Sequence, residues 1–156
     1  MDLASLLDDM RRRIGELERR QRGLTRTGVI TAINAADGRV RVRITGGGTP
    51  LITGWIPWEE SAAGAAKTHI PPSVGQQVRV RSESGDLTDA TVQGSVNSEA
   101  NARPASAGNE YVILQVGAAR IAVTGGGNEI VFEVGASALR ITDAGIVAVA
   151  PRIDLN

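Results

Sequence analysis

The sequence predicts a mainly β protein: a short N-terminal α-helix, a five-stranded barrel, and a C-terminal triple-stranded intertwined β-helix built by a homotrimer. Three observations lead there. Residues 1–23 carry a heptad of apolar side chains, residues 25–97 hold five alternating strand patterns, and residues 109–156 repeat themselves. A polar linker, residues 98–108, separates the last two. The 156 residues allow one or two small domains.

Composition favours an oligomer. The 42% hydrophobic content is ordinary, but Ala and Val dominate it, glycines number 19, and the aromatics are Trp55, Trp58, Tyr111 and Phe132 alone. Aromatic rings bury more area than other side chains, so a core built by one chain is expected to be thin. Acidic and basic residues balance at 17 each, which leaves no overall positive field for nucleic acid or an anionic membrane. Lys67 is the sole lysine among the basic residues, and cysteine is absent, so thiol chemistry plays no part. The N-terminus is charged from Asp2 onward and reads as no secretory signal, and no apolar run is long enough to cross a bilayer.

In "MDLASLLDDMRRRIGELERRQRG" the apolar residues Leu3, Leu7, Met10, Ile14 and Leu17 are spaced four and three apart, a heptad seam. Early acids and late arginines suit the helix dipole, and Gly23 reads as the stop. A helix of this length is marginal alone in water, so its stripe seeks a partner: other copies, or its own domain. Arg11, Arg12 and Arg13 stand before Glu16 and Glu18 and read as a solvated helix face rather than a nucleic-acid arm.

"TGVITAINAADGRVRVRI" reads as two strands joined at Asp37-Gly38, with Val29, Ile30 and Ile33, then Val40, Val42 and Ile44, in alternation. "LITGWIPW" is a third strand, and "EESAAGAAKTHIPPSVG" a long loop. "QQVRVRSESGD" and "LTDATVQGSVNS" supply the fourth and fifth strands. Five short antiparallel strands with one long excursion fit a barrel of the oligonucleotide/oligosaccharide-binding (OB) type. Trp55 and Trp58 are expected to pack the barrel or a subunit interface.

The tail units "YVILQVGAARIAVT" and "EIVFEVGASALRIT" align at an offset of 18. Val112, Leu114 and Val116 match Ile130, Phe132 and Val134; Ile121 and Val123 match Leu139 and Ile141. A shorter unit, "GIVAVAPRIDLN", places Val147, Val149, Ile153 and Leu155 in alternation, with its register slipped by about one residue. A single-chain solenoid needs about three full coils, and this tail has barely two and a half. Three chains about one axis would bury the stripe jointly and remove free strand edges. Val112, Leu114, Val116, Ile130, Phe132, Val134, Leu139 and Ile141 are the expected axis residues. Plain hairpins packed on the barrel are the alternative.

The order of helix, barrel, linker and Val-Gly-Ala repeats resembles the baseplate assembly protein V family, the central spike of contractile phage tails and tailocins, related to type VI secretion spikes. The stretches that carry the resemblance are "RTGVITAINAADGRVRVRI", "GWIPW", "PPSVGQQVRV" and "GSVNSEANARPAS", covering most of residues 25–107. The resemblance implies a trimeric needle whose barrel plugs the tail tube inside hub proteins and whose tail is driven through the host outer membrane on contraction. Many members of that family carry an apical His-x-His pair that binds iron. This chain has one histidine, His69 in the long loop, so that metal site is not carried over and no cofactor is expected. Ile153 and Leu155 are then expected to meet a separate tip-capping protein.

An enzyme is disfavoured, because one histidine, no cysteine and dispersed carboxylates form no recognisable constellation. Glu59-Glu60 reads as a solvated loop edge. Gly46-Gly47-Gly48 and Gly125-Gly126-Gly127 lack the setting of a phosphate loop and read as turns. The competing function is a single-stranded nucleic-acid module, with Trp55 and Trp58 as stacking platforms and Arg39, Arg41 and Arg43 lining one face.

Overall fold

The computed structural model describes residues 2–46 and 49–154. It is mainly β, with one helix and two antiparallel sheets, and divides into two compact units, residues 1–102 and 103–156.

Helix α1 spans Leu3–Leu24, opened by Asp2, whose carboxylate accepts from the Ala4 amide at 3.5 Å. The helix ends one residue beyond the expected stop at Gly23 and passes without a loop into strand β1, Thr25–Asn34. Gly23 is also a contact point. A Cβ there would stand 2.2 Å from the Gly85 carbonyl oxygen, and one on Gly85 would stand 2.7 Å from that of Arg20. Two missing side chains thus let the last helical turn lie directly against the loop around Gly85, whose φ of +81° also favours glycine.

Strand β2 (Arg39–Ile44) pairs with β1 across the Asp37-Gly38 turn. There Gly38 takes a φ of +63°, and the Asn34 side chain donates to Asp37 at 2.6 Å. The expected third strand divides into β3 (Leu51–Ile52) and β4 (Ile56–Pro57), both paired with β2. Buried Thr53 causes the break. Its hydroxyl accepts from the Val42 amide at 3.0 Å, taking the place of a ladder carbonyl, and Gly54 and Trp55 then swing out. Strand β5 (Gln77–Arg81), a 3-10 turn at Leu87–Asp89 and β6 (Thr91–Val96) complete the sheet in the order β3-β2-β1-β5-β6. Parallel bridging of Trp58 to Val92 joins the two ends and closes the barrel. Its core is aliphatic: Ile30, Val40, Val42, Ile44, Ile56, Val78, Val80, Ala90 and Val92, with Ile33, Trp58 and Leu87 packed against it. Beyond β6, Asn101 donates to the Gly75 carbonyl at 3.0 Å and ties the start of the expected linker to the barrel unit.

The second unit is a five-stranded meander: β7 Tyr111–Val116, β8 Ala119–Thr124, β9 Glu129–Val134, β10 Ser137–Thr142 and β11 Gly145–Val149. Each 18-residue repeat is one hairpin. Its two-residue turn is Gly-Ala, with φ of +56° at Gly117 and +57° at Gly135, matching the glycine-first turn that suits strand twist.

Candidate functional site

The sheet of the second unit has two unlike faces, set by register. Leu114, Ile121, Phe132, Leu139 and Ala148 stand opposite one another in a row across all five strands. Flanking rows on the same face hold Tyr111, Val123, Ile130, Ile141 and Ile146 on one side, and Val116, Ala119 and Val134 on the other. Ser137 alone interrupts this apolar surface with a polar side chain. The face is open: Phe132 is 43% exposed, Val134 62% and Ile146 69%.

Seven of the eight expected axis residues lie on this face; Val112 does not. The register shifts between Val112 and Leu114, so Val112 and the extra residue Ile113 both oppose Ala122 on the other face. That bulge puts Tyr111 where the second repeat has Ile130. The one-residue slip of the last unit acts in the same way. Ile146 and Ala148 continue the apolar face, while Val147 and Val149 fall opposite Arg140 and Ala138. Ile153 lines an apolar depression with Phe132, Leu139 and Ala148; Leu155 lies outside the described residues.

The opposite face is a lattice of ion pairs. Arg140 reaches Glu129 at 3.2 Å and Glu133 at 3.3 Å, and Arg120 pairs with Glu110 and, at 3.6 Å, with Glu133. Hydrogen bonds from Thr124 and Arg140 hold the Glu129 carboxyl below its usual range. Beneath the long side chains lie Ala122 and Val131, the buried apolar residues of this unit. Arginine and glutamate stems cover them while the charged heads meet in water.

A second open surface is the helix seam. Leu3, Leu7, Met10, Ile14 and Leu17 are each between 49% and 69% exposed. The seam is flanked by Asp9–Arg13, Glu16–Arg19, Glu16–Arg20 and Glu18–Arg22 ion pairs.

The two tryptophans part company. Trp58 packs on the barrel core, whereas Trp55 is 40% exposed with the Arg41 guanidinium 5.2 Å from its ring centroid. Glu60 is no solvated edge but the organiser of the long loop. It accepts from Trp58 Nε1 at 2.8 Å, from the Thr68 hydroxyl at 2.8 Å and from the Ile70 amide at 3.0 Å. The Trp58 bond leads the causes that keep its carboxyl low. Its donors are spread over residues 58–70, so nothing local in the sequence marks Glu60 as their shared acceptor. His69 is exposed, 6.4 Å from the Trp58 ring. Of the two glycine runs, Gly125, Gly126 and Gly127 all take positive φ in a turn, and Gly47 and Gly48 lie outside the described residues.

Residues 26–96, the barrel, match the type VI secretion system/phage-baseplate injector OB domain. The resemblance to the baseplate assembly protein V family is borne out. The spike protein of Escherichia phage P2 is 38% identical over 91 residues, 58% of this chain and 41% of that protein. The chain thus matches about two fifths of the length of this curated relative.

Proposed function

We propose that this chain is a structural, non-enzymatic subunit of a contractile-tail spike, working as a homotrimer at the centre of the baseplate in the virion or tailocin. One observation carries the reading: a sheet whose apolar face is uncovered and whose charged face is already satisfied, in a chain whose barrel matches the injector OB domain. Fully burying a large aliphatic side chain contributes about 1.5–3 kcal/mol. Three copies with the Leu114–Ile121–Phe132–Leu139 row turned to a common axis would recover that energy at every strand and put the ion lattice outward. The α1 seams would pair in the same assembly, with Leu3, Leu7, Met10, Ile14 and Leu17 as the contact.

In this reading the barrel closes the end of the tail tube among hub proteins. Contraction drives the tail through the host outer membrane, and Ile153 and Leu155 contribute to the tip contact with a separate capping protein. A narrow prism with interlocked strands bears axial load because no edge is free to peel. The nucleic-acid reading is weaker: Arg41 already covers the exposed tryptophan, and Trp58 is committed to the core.

Sedimentation of the full chain tests the assembly. The expected mass is three times the 16.3 kDa of one chain. A monomer whose residues 109–156 are nevertheless protected from hydrogen exchange would overturn it.

A further inference from the structure

The six barrel strands hold six arginines and no carboxylate. Alternation buries Val40, Val42, Ile44, Val78 and Val80 and sends Arg41, Arg43, Arg79 and Arg81 outward, all exposed. They stand on β2 and β5, on either side of β1, where Val29 faces Arg43 and Thr27 faces Arg79. Two strand spacings and a two-residue offset put the Arg43 and Arg79 backbones about 12 Å apart. That exceeds the screening length of about 8 Å at physiological ionic strength but is well inside the roughly 30 Å of a 10 mM solution, so their fields overlap at low salt.

These arginines are unlike others in the chain. Arg13, Arg19, Arg20, Arg22, Arg120 and Arg140 each meet a carboxylate within 4.0 Å; among the described residues, no barrel-strand arginine does. Glu59 is engaged by Gln93 at 2.9 Å and Asp89 by Ser82 at 2.5 Å, and Glu83, which lines a depression with Arg79 and Arg81, makes no ion pair within 4.0 Å among the described residues. An exposed cluster of like charges opposes compaction unless something neutralises it.

We infer that the outer face of β2, β1 and β5 docks an acidic protein surface, with carboxylates held by the guanidinium groups. The arginine fork matches a carboxylate in two-point fashion, which lysine does not. Nucleic acid fits less well. Single-strand sites stack bases on aromatic rings, yet the strands of this face hold no aromatic residue, and the Trp55 ring is occupied by Arg41. The inference deepens the proposed seating of the barrel among hub proteins and rests on it for the partner being a protein.

The test uses the full chain at low salt, with fluorescent poly-L-glutamate and a single-stranded oligonucleotide of equal charge as probes. The variant Arg41→Ser/Arg43→Ser/Arg79→Ser is compared with Arg11→Ser/Arg12→Ser/Arg13→Ser, which removes the same charge from the helix. Polyglutamate affinity is expected to fall at least about tenfold in the barrel variant and by no more than about twofold in the helix variant. No polyglutamate binding, equal losses in both variants, or tighter oligonucleotide binding through the barrel arginines overturns the inference. Sedimentation of the same proteins keeps the two proposals apart. A wild type that is not trimeric sinks the assembly while leaving the arginine result standing. A barrel variant that alone loses the trimer makes the face a contact between copies and overturns the acidic partner.

Discussion

The two sheets solve opposite halves of one problem. The barrel completes its apolar core within a single chain and, among the described residues, leaves its strand arginines without carboxylate partners. The tail pairs its charges, Arg120 and Arg140 with Glu110, Glu129 and Glu133, and leaves its apolar face in water. What each sheet lacks is what the proposals above supply: opposite charge for the barrel, another apolar sheet for the tail. The contrast also explains how a chain with four aromatic residues folds at all. Its valines are divided between a core that is closed and a face that is open.

The largest test of that contrast is Phe132→Asp. It would set a carboxylate in the middle of the Leu114–Leu139 row, three times over in a trimer, where burying an unpaired charge is prohibitive. Trimers should disappear in sedimentation while the barrel keeps its own cooperative unfolding. The counterpart is Ile30→Ala, which removes buried volume from the closed core, Ile30 being 1% exposed. The expected loss is about 2–5 kcal/mol, read as a lowered midpoint for the barrel transition with the trimer mass retained. If Ile30→Ala dissolves trimers as thoroughly as Phe132→Asp, the two cores are not separate.

Next in size is the helix-to-barrel joint. Gly23→Ala places a methyl group against the Gly85 backbone, where neither partner can rotate away, and should cost about 1–3 kcal/mol. Gly15→Ala is the control: nothing lies within 4 Å of its added Cβ, and the change should raise helix stability by about 0.8–1 kcal/mol. Thermal unfolding of the two variants should therefore move in opposite directions.

How much of this was legible follows from which forces are local. Alternation in "RVRVRI" and "QQVRVR", Asp-Gly at the hairpin and the 18-residue offset are local signals, and they located the barrel strands and the tail hairpins. Three features were not legible. Gly23 as a contact depends on Gly85, sixty-two residues away, and nothing in "RRQRGLT" distinguishes a stop from a close approach. The break of the third strand depends on the Thr53 hydroxyl meeting the Val42 amide. The bulge at Ile113 moves Val112 to the charged face, although its counterpart Ile130 in the second repeat stays on the apolar one. A repeat predicts equivalent faces only where the ladder has no extra residue.

A smaller effect is expected from Arg120→Met, which keeps the stem over Ala122 and removes the charge between Glu110 and Glu133. These groups are partly exposed, so the loss should be about 1 kcal/mol, with a weaker dependence on salt than in the parent protein. If the loss is larger than that of Ile30→Ala, the ion lattice rather than apolar burial holds the tail.

The smallest effect is a pH dependence of α1. Arg19 and Arg20 hydrogen-bond to Glu16 and hold its carboxyl at about 2, against 4.5 for the unperturbed group. A depressed folded-state value means the unfolded chain takes up the proton first, so the contribution is fully present above pH 4.5 and fades as pH falls toward 2. Glu16 is partly exposed, and salt should screen much of it. In an α1 whose seam is unpaired, helix content by circular dichroism at low ionic strength would therefore fall between pH 5 and about 2, and less so in Glu16→Gln. If the seam of Leu7, Met10 and Ile14 is closed by other copies, packing should dominate and both proteins should hold their helix through that range. An acid-labile helix in a protein that still sediments as a trimer would leave the tail sheet as the seat of assembly and α1 outside it.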